Sequence, residues 1–296
     1  MPEYRSRIVC VGDVIDDVVA IPLGAIRDDT DTVSSISFRA GGSAANTAAW
    51  LGTLGADVDF FGAVNTGDLT RHAELLEGCG VATHLRGQEL LPTGTIVVIV
   101  AGEQRTMLTD RGANVRLDPD WITDELLAET AVLHVTGHTL LNEAGAGGIA
   151  ALIARANEHG VLVSLAPGSA GFVADYGVDE FLAASSGGDI LFPSLEEGAL
   201  LTGRQTPELI IAALGESFPT VVLTMGAAGV AVFHDGLTTL VPADEALVVD
   251  PTGAGDAFCA GYLDEWVRSG DRVAAARAGA GVASRAVAII GGRPDA

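Results

Sequence analysis

Short apolar runs alternate with longer segments in which apolar positions recur every three or four residues, and this rhythm holds along the chain. Runs at 8–14, 58–64, 132–137, 161–166, 190–192, 221–224 and 230–234 predict strands, because a short continuous apolar run suits a strand buried on both faces. Between them, Ala44, Ala48, Leu51 and Leu54 fall on one face of a helix over 43–55, with Ser43 placed to cap its start and Gly55 to end it. A second helix is predicted from about Gly253 to Arg268, with Cys259, Leu263, Trp266 and Val267 at helical spacing. The βα alternation predicts three α/β/α layers, a mostly parallel sheet covered by helices on both faces.

Two segments break the rhythm. Residues 30–39 and 93–101, the latter followed by 103–109, are strand-rich and polar-interleaved, with no helix between the last two. They predict a small separate β-sheet, about 30–40 and 93–109, within a single domain spanning 1–296. Such a sheet beside an α/β cleft is a natural lid, and its exposed face a natural contact for a homodimer.

Composition narrows the function. The 296 residues are 48% hydrophobic, enough for one large α/β core. No apolar run approaches the roughly 18 residues of a membrane span, and no leader-like apolar stretch precedes the first strand, so a cytoplasmic protein without a membrane partner is expected. Cys10, Cys79 and Cys259 are widely spaced and odd in number, which suits buried free thiols. The net charge is −23 and the chain contains no lysine. An acidic surface repels polyphosphate backbones, which argues against a nucleic-acid partner. The missing amine also removes Walker A, protein-kinase and Schiff-base chemistry, so phosphate chemistry must use backbone amides, arginine or a metal.

Such amides are found near the C-terminus. The stretch V-D-P-T-G-A-G-D-A-F, 249–258, places two glycines directly before Asp256 at the start of a helix. Glycine lets amides approach an anion, and the helix adds its positive end. A carboxylate beside that anion hole can accept the proton of an attacking hydroxyl, so the stretch predicts phosphoryl transfer to an alcohol.

Residues 249–261 closely resemble the C-terminal motif of the ribokinase-like (PfkB-type) carbohydrate kinases, and other features of that family follow in order. R-A-G-G-S-A-A-N-T-A, 39–48, resembles its sugar-binding glycine pair, and 8–17 the strand whose end supplies acids to sugar hydroxyls. Residues 193–203 resemble its Asn-x-x-Glu region, and 221–229 its nucleotide-side strand and loop. The resemblance implies a ribokinase-like fold and an ATP-dependent kinase acting on a hydroxyl, primary by expectation, of a small sugar or sugar derivative. It makes Asp256 the catalytic base and the amides of Gly253, Ala254 and Gly255 the anion hole. Asp13, Asp17, Gly41, Gly42 and Asn46 become substrate contacts; Ser194, Thr224, Gly226, Gly229 and Thr252 fall along the nucleotide. Glu197 would help hold Mg²⁺ through water, and Asp250, with Thr252 and the loop near Gly291, a monovalent cation such as K⁺.

Some positions depart from the family. Ser194 stands where Asn is usual, Ser43 where ribokinases proper have Lys, and Ala227–Ala228 lack a lysine often found on the nucleotide loop. Arginine can take over, and Arg105 and Arg111, on or just after the lid, are candidates to reach substrate or phosphate. His134 and His138 sit on a strand and its exit, so their spacing does not make a metal pair; His138 could touch substrate. Two alternatives stay open: a nucleoside kinase on the same fold, for which Phe38 is the aromatic candidate, and a non-catalytic sugar-binding regulator. The sequence argues against a dinucleotide-binding dehydrogenase, since no G-x-G-x-x-G follows the first strand and the glycine-led helix comes near the chain's end.

Overall fold

The computed structural model describes residues 5–101 and 104–294. Among them, nine strands form the large sheet: β1 (Arg7–Val11), β4 (Val58–Asn65), β5 (Ala82–Gln88), β8 (Thr130–Thr136), β9 (Leu162–Ala166), β10 (Ile190–Leu191), β11 (Thr220–Thr224), β12 (Val230–His234) and β13 (Leu237–Val241). The remaining four, β2 (Ile15–Pro22), β3 (Ser34–Gly41), β6 (Gly94–Ala101) and β7 (Gln104–Asp110), form the small one. The large sheet has the order β13-β12-β11-β10-β9-β8-β1-β4-β5 and is parallel throughout except for the antiparallel pairings of β12 with β11 and β13. Alternation along β1 divides the interior in two. Ile8 and Cys10 enter one core with Trp50, Phe60 and Tyr262, while Val9 and Val11 enter the other with Phe61, Leu152 and Phe181.

The apolar run over 8–14 is not one strand. β1 ends at Val11, and Ile15 already belongs to the small sheet, whose order is β3-β2-β6-β7. The join is held by a side chain: Asn114 accepts from the Val14 amide at 2.9 Å and donates to the Val14 carbonyl at 2.9 Å. It satisfies the backbone where the chain leaves one sheet for the other. The small sheet therefore has a strand, β2, beyond the two predicted segments, and it carries Asp16 and Asp17. Edge strands β5 and β13 also escaped prediction, since their burial alternates or is slight. No helix among the described residues is long and apolar enough to cross a membrane.

Candidate active site

The helix Ser43–Thr53 begins after Gly42, whose φ of 98° disfavours any side chain and whose Cβ would strike the Asp13 carbonyl. Ser43 does not cap this helix. The carboxylate of Asp13 does so instead, accepting from the amides of Ser43 at 3.1 Å and Ala44 at 3.3 Å. Asp13 also accepts from the Thr136 hydroxyl at 3.4 Å. Relieved of capping, the Ser43 hydroxyl donates to Oδ1 of Asp256 at 2.8 Å.

Asp256 lies in the first turn of the helix Ala254–Ser269, which starts after Gly253 in the left-handed region, φ 73°. A Cβ on Gly253 would lie 2.5 Å from the Gly292 Cα, so conformation and space both require glycine there. Ala254 bonds the Pro251 carbonyl at 3.3 Å, and Ala257 makes the first helical bond, back to Gly253. The amides of Gly255 and Asp256 precede that bond, and nothing lies within 4 Å of where a Gly255 side chain would start. Two helix starts thus converge on one carboxylate, which also accepts from Nδ2 of Asn46 at 2.9 Å. Burial pushes the Asp256 carboxyl up to about 7, against the hydrogen bonds from Asn46 and Ser43 and with repulsion from Asp13 and Glu197. A base of that affinity exchanges protons near neutrality.

Asn46 also faces the other way, its Oδ1 accepting from Nε of Arg293 at 3.1 Å. Arg293 donates in addition to the Gly41 carbonyl, and its field reaches Asp17. Burial, opposed by Arg293 and reinforced by Asp13, Asp16 and Asp250, raises the Asp17 carboxyl to about 6. The Asp17 side chain lies over Gly41, where a Cβ would meet its carboxylate. Asp13, Asp17, Gly41, Gly42, Asn46 and Asp256 are therefore brought together. Sequence reasoning missed Arg293, whose only signal was a cation beside a glycine pair in a lysine-free chain.

Ser194 and Glu197 form a reciprocal cap at the start of the helix Leu195–Thr202. The Ser194 amide donates to Glu197 Oε2 at 2.7 Å, and the Glu197 amide to the Ser194 hydroxyl at 3.2 Å. Ser194 pairs with Thr224 by a parallel bridge, and Gly226 and Gly229 shape the turn between β11 and β12. Asp250 accepts from the Thr252 amide and hydroxyl, at 3.0 and 2.7 Å, and from the Gly291 amide at 3.0 Å. That loop is assembled beside Gly253, which packs against Gly292.

Around the lid the outcomes differ. The Arg105 side chain lies outside the described residues. Arg111 donates to the carbonyl and Nδ1 of His138, at 3.2 and 3.1 Å, and its guanidinium lies 5.8 Å from the Phe172 ring centre. Burial lowers the His138 pKa, opposed by Asp13 and reinforced by Arg111. His134 is buried on β8 against Ser164, and burial lowers it to about 4, as a core position requires. Phe38 pairs with Val18, hence on the face opposite Asp17 and Arg39, and is 75% exposed. It supplies no slot for a base on the Asp17 face.

The profile of the pfkB family carbohydrate kinases matches residues 5–295. The chain belongs to this family. This pfkB kinase is 30% identical to an ATP-dependent ribose-1-phosphate kinase of Halopiger xanaduensis, over 90% of this chain and 86% of the relative. It is 27% identical to a ribokinase of Haemophilus influenzae, over 92% of each chain. Arabidopsis thaliana ribokinase, solved with ribose and ATP, superposes with a TM-score of 0.82 at 25% identity, over 98% of this chain and 96% of that one. The enzyme is thus an ATP-dependent carbohydrate kinase with the ribokinase fold.

Proposed function

We propose that this kinase transfers the γ-phosphoryl group of ATP to a primary hydroxyl of a small sugar or sugar derivative, with Asp256 as the base. One observation carries the reading: a half-buried carboxylate at a helix start, held by Ser43 and Asn46 and within the field of Asp13. The hydroxyl oxygen attacks phosphorus, its proton passes to Asp256, the bond to the bridging oxygen breaks, and ADP leaves. The amides of Gly253 and Gly255 stabilise charge on the transferred group, while that of Ala254 is held by the Pro251 carbonyl. Asp17, Gly41, Gly42 and Asn46 orient the sugar, and His138 closes its far side. Ser194, Thr224, Gly226, Gly229 and Thr252 line the nucleotide.

Among the described residues no group of three or more His, Cys, Asp or Glu is arranged to hold a metal. The lone Glu197, with one oxygen already engaged by Ser194, fits an ion that keeps most of its water, as Mg²⁺ does. Such an ion, when bound, neutralises phosphate charge. Asp250 and Thr252 are the corresponding candidates for K⁺. Ile36, Phe38 and Leu108, each more than half exposed, share one face of the lid and support a homodimer through it. A sedimentation mass equal to one chain overturns that assembly.

ADP release, measured with ATP and Mg²⁺ over pentoses, hexoses, sugar phosphates, sugar acids and nucleosides, tests the activity. Turnover abolished in Asp256→Asn supports it. Sugar binding without turnover on any of them returns the regulator reading.

A further inference from the structure

Asn46 is buried, 5% exposed, in the first turn of the helix Ser43–Thr53, and its two hydrogen bonds call on opposite ends of the amide. A guanidinium only donates, so Oδ1 must face Arg293, whose Nε lies 3.1 Å away. An ionised carboxylate only accepts, so Nδ2 must face Asp256, 2.9 Å away. These two neighbours differ in constancy. Asp256, raised to about 7, is protonated for much of the time at neutral pH, and in the reaction proposed above it takes up a proton at each turnover. A protonated carboxyl can donate to Oδ1 of a reversed amide as readily as it accepts from Nδ2. Arg293, lowered by burial only to about 10, keeps its charge and its donors throughout.

Arg293 is itself held in place. The indole Nε1 of Trp50, on the same helix as Asn46, donates to the Gly292 carbonyl at 3.0 Å, and the Gly291 amide donates to Asp250 at 3.0 Å. A Cβ on Gly292 would strike Nδ2 of Asn46, so the segment lies directly against the amide. Nη2 of Arg293 reaches the Gly41 carbonyl at the end of β3, while Nη1 is shut off from solvent without a hydrogen-bond partner. A cation kept there with a donor unmet costs stability, and that cost calls for a functional reason.

From this geometry we infer that Arg293 is a positioning residue: its Nε fixes the Asn46 amide so that Nδ2 donates to Asp256 in both protonation states of the base. Without Arg293 the amide is free to turn, and Oδ1 then favours the protonated carboxyl and raises its affinity for the proton. The role in turnover rests on the reading of Asp256 as the base. Other groups face Asp256 as well. The Ser43 hydroxyl lowers it, Asp13 from the β1–β2 crossing and Glu197 from the helix Leu195–Thr202 raise it, and Cys259 on its own helix is pushed up, hence neutral, by burial. The field of Arg293 also reaches Asp13 and Asp17, so the test must separate field from hydrogen bond.

Two substitutions do so. Arg293→Gln carries an amide nitrogen as many bonds from Cα as Nε is, without the charge; Arg293→Met has similar length and neither donor nor charge. Titration of the Asp256 carboxyl is followed by carbon NMR of aspartate-labelled protein, its signal assigned by its absence in Asp256→Asn. The pH profile of kcat/KM is measured alongside, with the sugar of highest turnover in the panel above. The expected result is that Arg293→Met raises both the titration midpoint and the acidic limb by about one pH unit. Arg293→Gln restores both, and on an Asn46→Ala background Arg293→Met moves neither further. No shift, an equal shift in the Met and Gln variants, or a shift that persists without Asn46 overturns the inference. Where the Met variant does not fold, the wild type decides: the Asn46 side-chain amide, assigned by Asn46→Ala, is expected to give one slowly exchanging pair of proton signals below and above pH 7. A second pair below pH 7 overturns the inference. Full turnover in Asp256→Asn removes Asp256 as the base and leaves the titrations to decide whether Arg293 sets the amide.

Discussion

The hydroxyl of Ser43 donates to Oδ1 of Asp256 across 2.8 Å, joining the first residue of one helix to the first turn of another 213 positions away. The contact favours the ionised carboxylate, so its loss raises the affinity of Asp256 for a proton. Ser43→Ala is expected to move the acidic limb of kcat/KM to higher pH by about one unit. Turnover then falls roughly tenfold below pH 7 and little at pH 9, the sugar KM is unchanged, and Ser43→Thr restores the profile. A pH-independent loss would make Ser43 a packing residue only.

Asp256 exchanges stability for reactivity. Its folded carboxyl, raised to about 7, binds a proton more tightly than the unfolded one near 3.8, so its contribution to stability falls as pH rises between those values. Asp256→Asn is expected to cut turnover by roughly 10²–10⁴-fold while raising Tm, more at pH 8 than at pH 4. Calorimetric scans at both pH values check the sign; an equal or lower Tm at pH 8 contradicts it.

The two glycines ahead of Asp256 do different work. Gly253→Ala forces a Cβ against the Gly292 backbone at φ 73°, costing about 1–3 kcal/mol and lowering Tm with activity. Gly255→Ala meets nothing within 4 Å, so it leaves Tm in place and lowers kcat by crowding the phosphoryl group. Parallel losses of Tm in both variants would reduce the loop to a turn.

Asn114→Leu removes both bonds to Val14 and leaves two buried backbone groups unmet, at about 1–3 kcal/mol each. The expected outcome is a lower Tm and a raised sugar KM, with the KM for ATP much less affected. Steady-state kinetics with each substrate varied in turn read the difference.

Much of this was legible in the chain. Continuous apolar runs revealed the buried parallel strands, and the glycine-led motif at 249–261 identified Asp256 with its family. Local pattern could not show that 8–14 divides between two sheets, because the division depends on Asn114, a hundred residues away. Nor could it show that Asp13 would cap the Ser43 helix: serine at a helix start has the chemistry to cap, and tertiary geometry gave the position to a carboxylate. Arg293 was hidden for the same reason, since its partners Gly41 and Asn46 come from the other end of the sequence.

The passage from β1 to β2 leads straight from the catalytic sheet into the lid, and its middle residue, Asp13, holds the start of the helix bearing Ser43 and Asn46. Any hinging of the lid at this crossing turns that helix start, and with it the two donors that set the proton affinity of Asp256. The connection between the two sheets and the hydrogen bonding of Asp256 are thus one continuous piece of structure, so that neither can be displaced without the other.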